Sequence, residues 1–191
     1  MEKLPTNKIV EKITFRGKMI ELVQKDMEAG GKTWTMEFAR RSPGTRLIIE
    51  RGDNIILTRE FRHELGKYDF RLPGGKVFDT LEEYSAALGS NVDIAEAAKI
   101  GAIKEAREEA GVDAKNISFL HKSENGATMV WDLYYYAIRD FNQVPQDLEI
   151  GEDIKVEVVS KERAKEMCLS GEISEDRSAL VLLRYLGGSL K

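Results

Sequence analysis

Glu96-Ala-Ala-Lys-Ile-Gly-Ala-Ile-Lys-Glu-Ala-Arg-Glu-Glu-Ala-Gly-Val112 is an alanine-rich stretch with three glutamates near its end. On a helix Glu105, Glu108 and Glu109 stand at i, i+3 and i+4, so their carboxylates share one face within about one turn. Without a counter-charge they repel one another. Convergent oxygen ligands are what a hard divalent ion such as Mg2+ takes, with waters and substrate phosphates completing its shell. The competing reading is a solvated charged face, in which Lys104 pairs with Glu108 and Arg107 adds positive charge.

Working outward, Asp93-Ile94-Ala95-Glu96 is a capping box that opens this helix, and Ala110-Gly111 closes it. Thr80-Leu81-Glu82-Glu83 is a second capping box, which predicts a short helix to Leu88 stopping at Gly89. Upstream, residues 9–28 and 33–41 read as two strands joined at Ala29-Gly30-Gly31-Lys32, where the glycines supply the positive φ of a tight hairpin. Residues 45–50 and 55–61 form another strand pair, and 68–72 is a short extended run ending at Pro73-Gly74-Gly75. Downstream, 117–121, 128–138 and 155–159 read as strands, and 161–169 and 176–186 as helices closed by glycines. The order of strands, helix, strands and helices predicts an α+β fold with helices packed on a mixed sheet.

The bulk properties exclude several classes. With 42% hydrophobic and 32% charged residues, the 191-residue chain is too apolar for intrinsic disorder and long enough for a real core. A net charge of −4 argues against a nucleic acid polymer as the partner, and Arg40-Arg41 is too short a basic run to change that. A small phosphorylated ligand held through a metal stays open. The single cysteine, Cys168, allows no intramolecular disulfide and suits a reducing compartment. The start, MEKLPTNK, lacks the apolar core of a signal peptide, and no stretch approaches membrane-spanning length. The expectation is a cytoplasmic protein that engages no membrane.

The central stretch resembles a Nudix box: Gly, five residues, Glu, seven residues, then Arg-Glu-apolar-x-Glu-Glu-x-Gly-apolar. Glu96, seven residues and Lys104-Glu105-Ala106-Arg107-Glu108-Glu109-Ala110-Gly111-Val112 keep that register, and Leu72-Pro73-Gly74-Gly75-Lys76-Val77 resembles the glycine approach to the box. The resemblance implies an α/β/α sandwich, helices on both sides of a mixed sheet, with a small N-terminal antiparallel sheet. It implies Mg2+, with Mn2+ as a substitute, held by Glu105, Glu109 and the Gly74 carbonyl, with Glu108 supporting the chemistry. The box departs in two places. Gly75 and Glu96 are about fifteen residues further apart than the pattern allows, an insertion at about 76–95. The box arginine is Lys104, which keeps the charge but loses the planar fork. Glu96 caps its helix and could brace Lys104 from there.

Beyond the box, Thr58–Arg62, Gly66–Gly75 and the tail from Gly151 are similar to the ADP-ribose and nucleotide-sugar pyrophosphatase branch. That likeness implies substrate contact by Arg62 and a further metal ligand at Glu152. The branch's catalytic base falls on Ile150, one residue after Glu149, so either the loop shifts to bring Glu149 into use or the base comes from elsewhere. Solvated surface roles are the alternatives for Arg62, Glu149 and Glu152. Ser123-Glu124-Asn125-Gly126 lacks the proline usual in ADP-ribose enzymes, which leaves other nucleotide sugars open. The N-terminal strands match a sheet that this branch exchanges in a homodimer, and Trp34 on them could stack a base across that interface or simply pack. The expected organisation is an appendage at 1–42 and a hydrolase domain at 43–191. The expected activity cleaves a nucleoside diphosphate derivative into a nucleoside monophosphate and a sugar phosphate. A non-catalytic nucleotide-sugar sensor and a triphosphate pyrophosphohydrolase are the rival readings.

Overall fold

Two fully buried apolar runs, residues 47–49 and 55–57, seed the architecture. The computed structural model describes residues 10–126 and 128–190. The leader reading of residues 1–8, and the first residue of the expected N-terminal strand, lie outside them. The chain runs β1 (Val10–Arg16), β2 (Glu21–Ala29), β3 (Lys32–Arg40), β4 (Gly44–Arg51), β5 (Asn54–Arg62) and β6 (Lys67–Arg71). Then come α1 (Leu81–Leu88), α2 (Ile94–Ala110), β7 (Val112–Ala114), β8 (Ser118–Ser123), β9 (Met129–Val130) and β10 (Leu133–Ile138). β11 (Phe141–Gln143), β12 (Ile154–Ser160), α3 (Lys161–Ser170) and α4 (Asp176–Leu186) complete it.

The central sheet has the order β12-β5-β4-β10-β8, with β6 paired to β5. β10 runs parallel to β4 and the other pairs are antiparallel, so the sheet is mixed. Continuous apolar runs, rather than alternation, mark strands covered on both faces. The pleat sends Ile48, Ile55 and Leu57 to one side, where Met167, Val181 and Leu182 of α3 and α4 cover them. Leu47, Ile49 and Ile56 go to the other side, under the Ala98, Ala102, Ala106 and Ala110 stripe of α2. That four-residue spacing keeps the small side chains on the sheet and turns the glutamates of the last two turns away from it. The result is the α+β fold that the order of elements predicts, with helices on both sides of the sheet as the resemblance implies.

Helix boundaries follow their caps. Thr80 and Glu83 form the reciprocal capping box of α1. Asp93 accepts from the Ala95 and Glu96 amides at the start of α2, and Gly111, at φ 62°, ends it in the left-handed conformation.

Two expected strands are corrected. Residues 9–28 hold a turn: the Gly17 amide donates to the Ile20 carbonyl at 2.8 Å, and β1 folds back antiparallel on β2. The carboxylate of buried Glu21 accepts from both Arg16 and Arg40, tying β1 and β3 together across β2. Residues 128–138 also split. β9 pairs parallel with β3 and completes the N-terminal sheet, whereas β10 belongs to the central one. The break falls at Trp131-Asp132, where the Asp132 carbonyl accepts from the Gly44 amide at 2.9 Å. The small sheet is therefore four-stranded, β1-β2-β3-β9, and mixed rather than wholly antiparallel. The β7–β11 pair had no distinct sequence signal. No helix among the described residues is long and apolar enough to cross a membrane.

Candidate active site

The loop after β6 lies against the backbone of β4. Thr45 donates to the Gly75 carbonyl at 2.9 Å and Leu47 to the Pro73 carbonyl at 2.8 Å. So close an approach requires glycine. Gly74 has φ 144°, and a Cβ there would strike the Thr45 carbonyl. At Gly75 a Cβ would overlap the Glu105 carboxylate. The last turns of α2 dock onto this loop, and the Gly74 amide donates to Glu109 Oε2 at 2.7 Å.

A cleft of about 200 Å³ opens here. Glu105, Glu108, Glu109, Glu149 and Glu152 all line it, with Arg62 on the wall. Burial, then the charge of Glu108, pushes the Glu105 carboxyl up to about 7 against the pull of Lys104. Burial pushes Glu109 up to about 8, with Glu105 adding to the rise and the Gly74 amide opposing it. Each anionic form is disfavoured until a positive charge arrives.

Gly74, Lys104 and Arg62 also line the cleft, though each is already engaged. Lys104 lies 3.5 Å from Glu108. The Glu96–Lys104 brace is not formed: Glu96 sits 4.0 Å from Lys99 and lies off the cleft. Residues 96 and 104 are separated by about 12 Å of helix axis, too far for that pair. Arg62 donates to Glu60 and Glu64. In the acidic loop the Glu149 amide donates to Glu152 Oε2 at 2.9 Å, while Ile150 is fully exposed. Trp34 is half-exposed on β3 opposite Met27 and does not line the cleft of its own chain.

Sequence reasoning missed two groups. Arg46 donates to Glu175 at 3.0 Å and to the Gly74 carbonyl at 3.4 Å, bracing the glycine loop from the start of α4. Its signal was a cation inside a buried run. Arg41 and Trp131 also line the cleft, and neither carried a recognisable spacing.

Among the described residues, no three histidine, cysteine or acidic side chains are gathered tightly enough to hold a metal ion alone. The donors still suit a divalent ion. They are hard oxygens, Glu105 and Glu109 are destabilised as anions, and Mg2+ keeps open positions for water and phosphate.

The NUDIX domain pattern matches residues 40–177, and the chain belongs to the Nudix family. It is a Nudix hydrolase, a class that hydrolyses nucleotide pyrophosphates and generally uses divalent metal ions. No curated protein matches the chain. A solved structure described as a crystal structure of an ADP compounds hydrolase is similar in fold, with TM-score 0.72 and 17% identity over 99% of this chain and 98% of that one.

Proposed function

We propose that this hydrolase cleaves the pyrophosphate of a nucleoside diphosphate derivative, of the ADP-ribose or nucleotide-sugar type, in a Mg2+-dependent reaction. The observation that carries this reading is the pair Glu105 and Glu109 against the Gly74-Gly75 loop, with carboxyls pushed up to about 7 and about 8. Glu105, Glu109, Glu152 and the Gly74 carbonyl would hold the ion. When bound, Mg2+ supplies positive charge to the diphosphate oxygens and acidity to the attacking water. Glu149 accepts the proton of that water as it attacks one phosphorus, with Glu108 supporting it. The bridging P–O bond breaks, leaving a nucleoside monophosphate and a sugar phosphate. Arg62 contacts the substrate after exchanging its present carboxylate partners, and Lys104 keeps Glu108 oriented at the mouth.

Residues 1–42 serve as a dimerisation element beside the 43–191 hydrolase domain. The small sheet exposes Ile13, Phe15 and Leu22, and Leu22 borders an apolar groove of about 250 Å³ with Val23, Phe38 and Ala39. A second copy covering this sheet brings Trp34 to the partner's cleft as a base-stacking residue. The substrate is a small molecule in the cytoplasm, not a nucleic acid polymer. The test is a panel of ADP-ribose, nucleotide sugars, dinucleoside polyphosphates and triphosphates, with and without Mg2+. Monophosphate release from a diphosphate derivative is expected. Turnover of triphosphates alone, or none across the panel, overturns the reading.

A further inference from the structure

Of the four arginines that line the cleft, three are committed to carboxylates. Arg46 pairs with Glu175, Arg62 with Glu60 and Glu64, and Arg71 with Asp69. Arg41 has no ion pair among the described residues, and its Nε is buried without a hydrogen-bond partner. A half-buried cation that lacks a counter-ion is costly unless a ligand completes it.

The side chain is nonetheless held in place. The Arg41 amide donates to the Val130 carbonyl at 3.2 Å, which sets it beside Trp131. Its guanidinium carbon lies 4.4 Å from the Trp131 ring centroid, a cation–π contact. Trp131 is fixed in turn by Arg177, which donates to its carbonyl at 2.9 Å and to the Ser123 carbonyl at 2.6 Å. The indole also packs beside the start of β4, since a Cβ on Gly44 would lie 3.6 Å from Trp131 Nε1. The stacked guanidinium therefore lines the same cleft as the carboxylates that repel phosphate.

We propose that Arg41 is an anion-recognition residue of this cleft, contacting the phosphate of the substrate that the box glutamates do not engage, with Trp131 as its positioning residue. A planar guanidinium matches two phosphate oxygens at once, which a lysine cannot do. The assignment rests on the proposed diphosphate substrate.

The test is calorimetric binding of methylenediphosphonate, which cannot be hydrolysed, to the full chain in saturating Mg2+. Arg41→Gln is expected to weaken binding about tenfold to a hundredfold, the loss of one charge-assisted contact. Arg41→Lys should recover part of the affinity, because charge stays and the fork goes. Trp131→Leu should weaken binding and Trp131→Phe should restore it, since a ring suffices to hold the guanidinium. With a turned-over substrate, KM rises in Arg41→Gln far more than kcat falls. A folded Arg41→Gln protein that binds within twofold of wild type overturns the proposal, as does a wild type that does not bind the probe. Lower melting temperatures with unchanged affinity would leave Arg41 a purely structural residue and overturn it too. Failure of the hydrolase reading is separate: it shows as absent diphosphate turnover, whatever the binding comparison gives.

Discussion

Glu109 accepts a 2.7 Å hydrogen bond from the amide of Gly74, 35 positions earlier, and this bond locks the end of α2 to the glycine loop. Glu109→Gln preserves shape but removes the group that ionises when a cation reaches that junction. Turnover should fall by orders of magnitude and the Mg2+ requirement should rise, while the melting temperature in metal-free buffer holds or increases. Glu152→Gln should raise the Mg2+ requirement as well. Glu149→Gln should lower kcat without changing it. Steady-state kinetics across a Mg2+ titration separates the three, and near wild-type hydrolysis by Glu109→Gln would refute the metal assignment.

Gly74, at φ 144° against the Thr45 backbone, is the most demanding position of the loop, and Gly75 is the one that faces a glutamate of the cleft. Its alanine variant places a methyl where the Glu105 carboxylate lies, so either the loop or the carboxylate must move. Gly75→Ala should lose most activity while keeping its far-ultraviolet circular dichroism. Retention of full activity would mean that Glu105 is not fixed by the loop.

The pH dependence of the metal-free protein follows from the raised carboxyls. A carboxyl raised on folding contributes stability that is fully present below its unfolded value and is lost as pH rises through its folded value. For Glu105 and Glu109 those folded values are about 7 and about 8. The melting temperature without metal should therefore drop as pH rises from about 4.5 to about 8 and level off above that, by about 2–4 °C for each kcal/mol lost in a chain of this size. Saturating Mg2+ should flatten the slope. Thermal scans with and without chelator measure both, and an equal slope in the two buffers would count against a metal at these residues.

The exposed face of the small sheet should be a subunit contact. Sedimentation at micromolar concentration is expected to give a dimer, and Leu22→Glu should give a monomer by placing a charge in the apolar groove. If Trp34 reaches a partner's cleft, that monomer also loses substrate affinity. A monomeric wild type would remove both ideas.

The insertion at 76–95 carries α1 and anchors at its start through the Phe78 amide to Ser42 Oγ at 3.1 Å. Arg16 of the small sheet also donates to Ser85 on α1 at 3.1 Å. Replacing residues 79–92 with a tight loop should change substrate ratios more than the melting temperature, because Asp79 lines the cleft mouth. Unchanged ratios would make the segment a passive decoration.

Much of this was legible because it depends on local chemistry. Thr80 and Glu83, Asp93 and Gly111 announced helix ends through backbone groups within a few residues. Glu105, Glu108 and Glu109 shared a face by helical periodicity alone. The Arg46–Glu175 bridge joins positions 129 apart, and the Arg41–Trp131 contact depends on a strand break that apolar patterning hid. Gly17 stood within a run of strand-forming residues, so its turn went unread. The Glu96–Lys104 brace failed because a motif fixes the order of residues, and only the helix fixes their distance.

The short strand Met129–Val130 belongs by sequence to the second half of the chain yet hydrogen-bonds into the sheet built by the first. Cutting the polypeptide after residue 42 would strip this strand of its neighbour and leave Met129 and Val130 as an unprotected edge beside Trp131. The N-terminal strands are thus a splint for the wall of the cleft, and a shortened protein beginning at residue 43 would carry their loss into the chemistry.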